Sequence, residues 1–153
     1  MAQTNSRRLH MVLSYLYPDL KNKPTVNGEW KPEQCDYYME NNSDGKGTQF
    51  VWNNTDIPKP TDQQIADAKE DAVNAHWLKM LRWQRNELLV ESDWSQGTDV
   101  PSALKNSYAT YRAELRDLPT TVVKPSFETL NNQSVNKWHE DIENLMPTKP
   151  EDN

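Results

Sequence analysis

Cysteine is almost absent from this sequence: Cys35 stands alone, so no disulfide can form within the chain. No apolar run reaches the roughly 18 residues that a membrane-spanning helix needs. The first twelve residues lack the apolar segment of a secretory signal peptide. From these absences we expect a soluble protein that is made and kept in a reducing cytosol, or that leaves it only by cell lysis, with no membrane partner.

Positive charge is also scarce. The 153 residues carry a formal net charge of -6 and a pI near 5.1. A protein that binds nucleic acid without sequence preference needs a basic face for the phosphates. The composition therefore predicts no nucleic-acid partner.

Catalytic and metal-binding motifs are missing. The three histidines, His10, His76 and His139, are scattered, and there is no HExxH, GxSxG, GxGxxG or Walker A pattern. His139-Glu140-Asp141 and the pair Glu87 and Glu91 have the spacing of an exposed acidic helix face. We therefore predict no catalytic residue, no metal ligand and no cofactor, and do not expect an enzyme.

The first third of the chain predicts one helix and one β-hairpin. Residues 7–17 place apolar side chains at helical spacing, and Pro18 should end that helix. Residues 19–34 read as an irregular connection. Residues 35–41 and 48–53 are typical of strands around the loop 42–47, where Asp44-Gly45 should supply the positive φ angles. The outer edge of this hairpin could add a strand to an unpaired sheet of a partner.

The remainder is predicted to be helical. Thr61 and Gln64 form the pattern of a capping box before a helix over 62–91. Pro101 could open a second helix that reaches about 117, where Pro119 would stop it. Residues 120–125 read as extended. Ser134 should cap a last helix over about 135–145, and residues 147–153 form a tail.

The predicted fold class is therefore α+β, mainly α. We expect an N-terminal helix and β-hairpin module over 1–57 and a helical hairpin over 61–119. An extended segment, a short helix and an acidic tail should fill 120–153.

A tryptophan in a polar turn needs an explanation. The segment RNELLVESDWSQ, residues 85–96, begins as a helix and ends in a turn that carries Trp94. We expect Trp94 to fold back over Tyr108, Tyr111 or Leu115 and bury most of its ring. Asp93 should then meet Arg112 or cap a backbone amide. The alternative is that Trp94 and Trp83 are exposed and contact a partner.

At these residues the sequence resembles the phage tail-fibre assembly chaperones. Their pattern R-[DN]-x-L-L-x-x-[ST]-D-W-[ST]-Q is matched at 85–96, and Y-R-x-x-L-R-D-[IL]-P at 111–119. The lead-in FVWNNTDIPKPTDQQIADA, residues 50–68, is also similar. The chain departs from the pattern at Gly97-Thr98, where the family has a Leu-Pro-like step. The motif residues are Arg85, Leu88, Leu89, Asp93, Trp94, Tyr111, Arg112, Leu115, Arg116 and Pro119.

The resemblance implies a protein that helps a phage tail fibre or another tail protein to fold, trimerise or attach. It would work in the host cytoplasm during assembly, and retention on the virion tail is compatible with it. Trp77, Trp83 and Trp94 are the predicted partner contacts, with the alternative that all three belong to the core. A permanent structural adaptor or decoration of the tail is the second functional hypothesis.

Overall fold

The computed structural model describes residues 6–21, 25–26, 29–41 and 43–151. The chain divides into two compact units, Met1–Val73 and Asn74–Asn153, called here the N-terminal unit and the C-terminal unit. The boundary falls inside a long helix. The elements are mostly helices, and the strands are short antiparallel pairs, which confirms the α+β, mainly α class. The predicted domain boundaries at 57, 61 and 119 stay predictions.

The first described element of the N-terminal unit is α1, Ser6–Leu16, as the apolar spacing predicted. Two short strands follow, β1 (Thr25–Val26) and β2 (Glu29–Trp30), and they pair antiparallel. A 3₁₀ turn spans Pro32–Gln34. The expectation of a wholly irregular connection over 19–34 was therefore wrong. Two-residue strands leave too little period-two pattern for the sequence to show them.

The predicted hairpin is present as β3 (Tyr37–Glu40) and β4 (Gln49–Trp52), with Tyr37 opposite Trp52 and Glu40 opposite Gln49. In its loop, positive φ angles occur at Ser43, Gly45 and Gly47. The positive φ expected at Gly45 is confirmed and the one expected at Asp44 was wrong, because the loop places Ser43 rather than Asp44 in the left-handed region.

The core of the N-terminal unit is aromatic. Leu9 and Leu13 of α1 and Tyr37 of β3 are buried. The Tyr37 ring stacks on Trp52 at 6.2 Å and meets Phe50 edge to face at 6.2 Å. His10 Nδ1 lies 3.1 Å from the Tyr37 hydroxyl. Since an isolated two-stranded hairpin is marginal in water, α1 supplies the apolar surface on which this hairpin folds.

The long helix α2, Asp62–Glu91, starts at the predicted capping box. The Gln64 amide N–H donates to Thr61 Oγ1 at 3.2 Å, and the Thr61 N–H donates to Gln64 Oε1 at 2.9 Å. Each side chain thus satisfies a backbone donor that the first helical turn leaves without a partner. Just before it, Lys59 Nζ donates to the Phe50 carbonyl of β4 at 3.2 Å, occupying one backbone acceptor of the hairpin.

In the C-terminal unit, a 3₁₀ turn over Asp93–Gln96 joins α2 to α3, Ser102–Thr121. Pro119 lies inside α3 and does not stop it, and residues 120–121 are helical rather than extended, so both expectations were wrong. A proline removes one backbone donor and crowds the carbonyl four residues earlier, but the two residues that follow Pro119 in α3 keep their own backbone donors. The Val122 N–H still donates to the Leu118 carbonyl at 2.9 Å, and the Thr120 hydroxyl donates to the Asp117 carbonyl at 2.7 Å.

Two short helices complete the C-terminal unit. Ser126 caps α4, Phe127–Asn132, which the sequence analysis missed. Ser134 caps α5, Val135–Glu143, as expected, by accepting from the Lys137 N–H at 3.1 Å. Trp138 of α5 is fully buried, and its indole N–H donates to the Leu130 carbonyl at 3.1 Å. This hydrogen bond ties α5 to α4.

Candidate partner-binding surface

The candidate site lies at the C-terminal end of α2. The last carbonyls of α2 have no helical donor ahead of them and need other partners. The Ser92 hydroxyl lies 2.8 Å from the Leu88 carbonyl and 3.1 Å from the Leu89 carbonyl. Ser95, fully buried in the 3₁₀ turn, donates its hydroxyl to the Ser92 carbonyl at 2.6 Å. Two serines therefore close the end of α2.

Arg112 of the neighbouring helix α3 also donates hydrogen bonds to the C-terminal end of α2. Its Nη1 donates to the Leu89 carbonyl at 2.6 Å and to Ser92 Oγ at 2.7 Å. A cation at a helix C-terminus also interacts favourably with the helix dipole. With 7% of its surface exposed, Arg112 acts as an internal connector between α2 and α3.

The predicted pairing of Asp93 with Arg112 is confirmed. Arg112 Nη2 donates to Asp93 Oδ1 at 2.8 Å. The Asp93 side chain is 65% exposed and that of Arg112 is 9% exposed, so the ion pair reaches from the interior to the surface. The Nε of Arg112 is buried and has no hydrogen-bond partner among the described residues. Both terminal nitrogens of the Arg112 guanidinium, Nη1 and Nη2, therefore have hydrogen-bond partners, whereas its Nε has none in the described structure.

Trp94 lies against Tyr108, as expected, but its surface is only about half covered. The two rings meet edge to face at 5.1 Å between centroids. Trp94 remains 46% exposed, while Tyr108 is fully buried. The physical reason is that the 3₁₀ turn directs Ser95 inward and leaves Trp94 at the rim.

The aromatic contacts continue along α3. Tyr108 meets Tyr111 edge to face at 6.0 Å. Leu88 and Leu89 of α2 pack against the same buried cluster, which includes Leu115. Burial, followed by the charge of Glu91, raises the pKa of Tyr111 above its ordinary value of 10.0. Each turn of α3 in this region therefore adds a buried ring or leucine to the joint with α2.

Trp77 and Trp83, the other two predicted partner contacts, differ in solvent exposure. Trp77 is 1% exposed, so its ring belongs to the interior and offers no surface to a partner. Its indole N–H has no hydrogen-bond partner among the described residues. Trp83 is 57% exposed and lies 6.4 Å from the His139 ring. Beside His139 is a shallow groove that Met80, Val135, Asn136 and Glu140 also line.

The remaining motif residues fall into two groups. Leu88, Leu89, Leu115, Tyr111 and Arg112 form the joint between α2 and α3 described above. Arg85 donates to the Asn86 side chain at 2.9 Å, Arg116 is exposed, and Pro119 is half-buried in the last turn of α3. Ser92 and Ser95 were not among the predicted site residues. The signal was present, because the resembling pattern admits only serine or threonine at both positions.

The acidic face of α5 shows ordinary surface ion pairs. Lys137 Nζ lies 2.7 Å from Asp141 Oδ1 and 3.7 Å from Glu140 Oε2. The hydrogen bond to Asp141, followed by the charges nearby, raises the pKa of Lys137. Within the described ranges, no three His, Cys, Asp or Glu side chains are grouped so that they could hold a metal ion. Of the helices in those ranges, none combines the length and apolarity of a membrane span.

The comparison with protein families agrees with this site. Residues 78–136 match the family described as phage tail assembly chaperone protein. The matched segment holds the end of α2, the 3₁₀ turn, α3 and α4, and therefore the whole Arg112 network. This confirms the resemblance on which the sequence analysis relied and supports a role in phage tail assembly. Neither a curated protein nor a solved structure matches the chain.

Proposed function

We propose that this protein binds a phage tail fibre, or another tail protein, and assists its folding, trimerisation or attachment. It acts by binding rather than by catalysis, in the host cytoplasm while tails assemble. The observation that carries the proposal is the exposure of two tryptophans, Trp83 at 57% and Trp94 at 46%, within the segment that matches the chaperone family. Large exposed aromatics are the side chains that most often anchor protein interfaces.

The surroundings of these rings support an interaction surface. Val90 is 69% exposed and follows Trp83 by seven residues in α2, so both side chains lie on nearly the same helix face. Trp94 follows directly after the helix. Unassembled fibre proteins present apolar surface and unpaired strands that aggregate. An acidic protein with net charge -6 keeps such a complex soluble by repulsion between complexes.

A co-expression experiment tests this proposal. The tagged full chain is produced with each tail protein of its phage, and captured proteins are identified by mass spectrometry. We expect one tail protein to be retained, and the double variant Trp83→Ala with Trp94→Ala to retain at least about tenfold less, as for the loss of interface anchors. Tyr15→Ala is the matched control, because Tyr15 is 47% exposed but lies in the N-terminal unit. Capture that the double variant leaves unchanged would contradict the proposed surface.

The second candidate function is that of a permanent adaptor or decoration of the tail. It differs from the first in that the protein remains on the finished virion. Several of its connections are proline-containing and irregular, among them 56–61 and 147–151, and such segments become ordered most readily against a partner. Quantitative mass spectrometry of purified virions separates the two. Stoichiometric amounts relative to a tail protein indicate an adaptor, whereas abundance in infected cells and absence from virions indicates a chaperone.

A further inference from the structure

The connection between α3 and α4 is extended and carries an exposed valine. Residues 122–126, called here the α3–α4 linker, contain no helix or strand. The backbone is extended at both ends, with φ -65° and ψ 136° at Val122 and φ -65° and ψ 155° at Ser126. Val123 is 89% exposed, more than any other large apolar side chain in the described ranges. A single exposed valine is ordinary on a protein surface, so its meaning depends on the backbone around it.

The backbone of the α3–α4 linker has hydrogen-bonding groups that the protein itself does not use. The Val122 N–H donates to the Leu118 carbonyl at 2.9 Å and so ends the hydrogen bonds of α3. Val123 and Lys124, which follow, make no hydrogen bond to any residue that the structure describes. Their N–H and C=O groups are therefore available to a partner. An extended stretch with unpaired backbone groups is what a β-strand presents before it joins a sheet.

The local sequence favours a strand at this place. Positions 120–123 hold four β-branched residues in a row, Thr-Thr-Val-Val. Such side chains lose rotamer freedom in a helix and pack well on a pleated sheet. The helix α3 ends within this run, at Thr121. Val122 is half-buried and Val123 is exposed, so the linker rests on the protein by one side chain and presents the next one outward, as successive residues of a strand do.

Two prolines limit how far this segment can pair. Pro119 and Pro125 stand on either side of residues 120–124, and Lys124 adds a charge at the second boundary. A proline cannot donate to a strand ladder, and prolines and lysines protect exposed strands from pairing with further chains. The segment between the prolines can therefore add to one sheet edge, but it cannot extend into a larger sheet of its own.

We propose that the α3–α4 linker joins the open sheet edge of an unassembled tail protein as an added strand. Backbone groups of Val123 or Lys124 pair with that edge, and the Val123 side chain packs on the apolar face of the sheet. That the sheet belongs to a tail protein rests on the proposed function. Exposed tryptophans cover apolar surface but leave the backbone groups of a strand edge unpaired, whereas an added strand satisfies them. The linker lies within residues 78–136, the segment that matches the chaperone family.

Proline substitutions test the backbone pairing. Along one edge of a strand, hydrogen bonds come from alternate residues, so either Val123 or Lys124 donates to the partner. Val123→Pro and Lys124→Pro each remove one N–H that the described structure leaves without a partner. The angles of Val122 are those that a residue before proline prefers, so the fold accommodates Val123→Pro. The matched controls, Val123→Ala and Lys124→Ala, lose the side chain and keep the N–H.

The tagged full-length variants are co-expressed with each tail protein of the phage, and circular dichroism identifies which of them are folded. We expect one of the two proline variants to retain at least about tenfold less tail protein than its alanine control, because it loses a hydrogen bond of the added strand. The other should differ less from its control. Hydrogen exchange gives a second measurement on the unaltered chain: the amides of residues 120–126 should exchange more slowly in the captured complex than in the free protein.

The added strand and the proposed function fail differently. If both proline variants capture as much tail protein as their alanine controls, or if exchange in residues 120–126 does not slow in the complex, the added strand is overturned and the proposed function stands. Equal losses for the proline and the alanine variant of one position would also overturn it, since they would show a side-chain contact without backbone pairing. An unaltered chain that captures no tail protein overturns both.

Discussion

In the N-terminal unit, aromatic rings pack around Tyr37, whereas in the C-terminal unit a buried guanidinium joins two helices. The Tyr37 cluster depends on shape and apolar area, which several side chains can supply. The Arg112 network depends on a planar fork that reaches a carbonyl, a hydroxyl and a carboxylate together. The family match begins at residue 78, inside the C-terminal unit. A substitution that keeps apolar volume should therefore be tolerated around Tyr37, whereas one that removes the guanidinium fork should not be tolerated at residue 112.

The largest expected effect is in the aromatic unit. Tyr37→Ala removes a ring that is 1% exposed and in contact with Phe50 and Trp52, so it should lower the free energy of unfolding by about 3–5 kcal/mol. Hydrogen exchange followed by mass spectrometry should show faster exchange in α1, β3 and β4 than in α3. Equal acceleration of exchange in α1, β3, β4 and α3 would mean that the two units do not differ in their dependence on Tyr37. Tyr37→Phe, which keeps the ring, is the control.

Arg112→Met tests the polar unit. The change keeps much of the volume but removes three hydrogen bonds at 2.6 to 2.8 Å. It should cost about 2–4 kcal/mol, mainly because the buried Ser92 hydroxyl and the Leu89 carbonyl lose a charged donor, whereas the exposed Asp93 adds little. Urea unfolding measures the loss. Arg116→Met, four residues further along α3 and exposed, should change stability by less than about 0.5 kcal/mol. Similar losses for both variants would mean that the network does not connect the helices.

The same contrast explains what the sequence could predict. Thr61 with Gln64, and Ser134, were predicted because a cap is a local pattern whose hydrogen bonds stay within four residues. The pairing of Asp93 with Arg112 was predicted because the motif brings two opposite charges to one helix joint. The exposure of Trp94 was given only as the alternative to its burial, since it depends on which residue of a 3₁₀ turn points inward. The helix α4 was missed because six residues carry little periodicity.

Two tryptophans in the C-terminal unit allow a smaller, sharper test. Trp138→Phe and Trp77→Phe remove the same atoms from rings that are at most 1% exposed. Only the Trp138 indole has a hydrogen bond in the described structure, 3.1 Å to the Leu130 carbonyl. Trp138→Phe should therefore be more destabilising than Trp77→Phe by about 1–2 kcal/mol in urea unfolding. The opposite order would mean that the Trp77 indole finds a partner in solution.

The smallest effect is a pH dependence of the joint between α2 and α3. The pKa of Tyr111 is raised in the folded protein, by burial and then by Glu91, so folding favours its neutral form. This contribution is complete below the ordinary value of 10.0 and is lost as the pH rises through the folded pKa. Between about pH 9 and 11, the unaltered chain should lose stability more steeply than Tyr111→Phe, which has no phenol to ionise.

Glu91→Gln should reduce the same slope by lowering the pKa of Tyr111, since the charge of Glu91 opposes the phenolate. Thermal unfolding at a series of pH values measures all three slopes. Parallel slopes for the unaltered chain and Tyr111→Phe would contradict this prediction. They would show that water reaches the Tyr111 hydroxyl in solution, and that the joint between α2 and α3 is more solvent-accessible than the structure indicates.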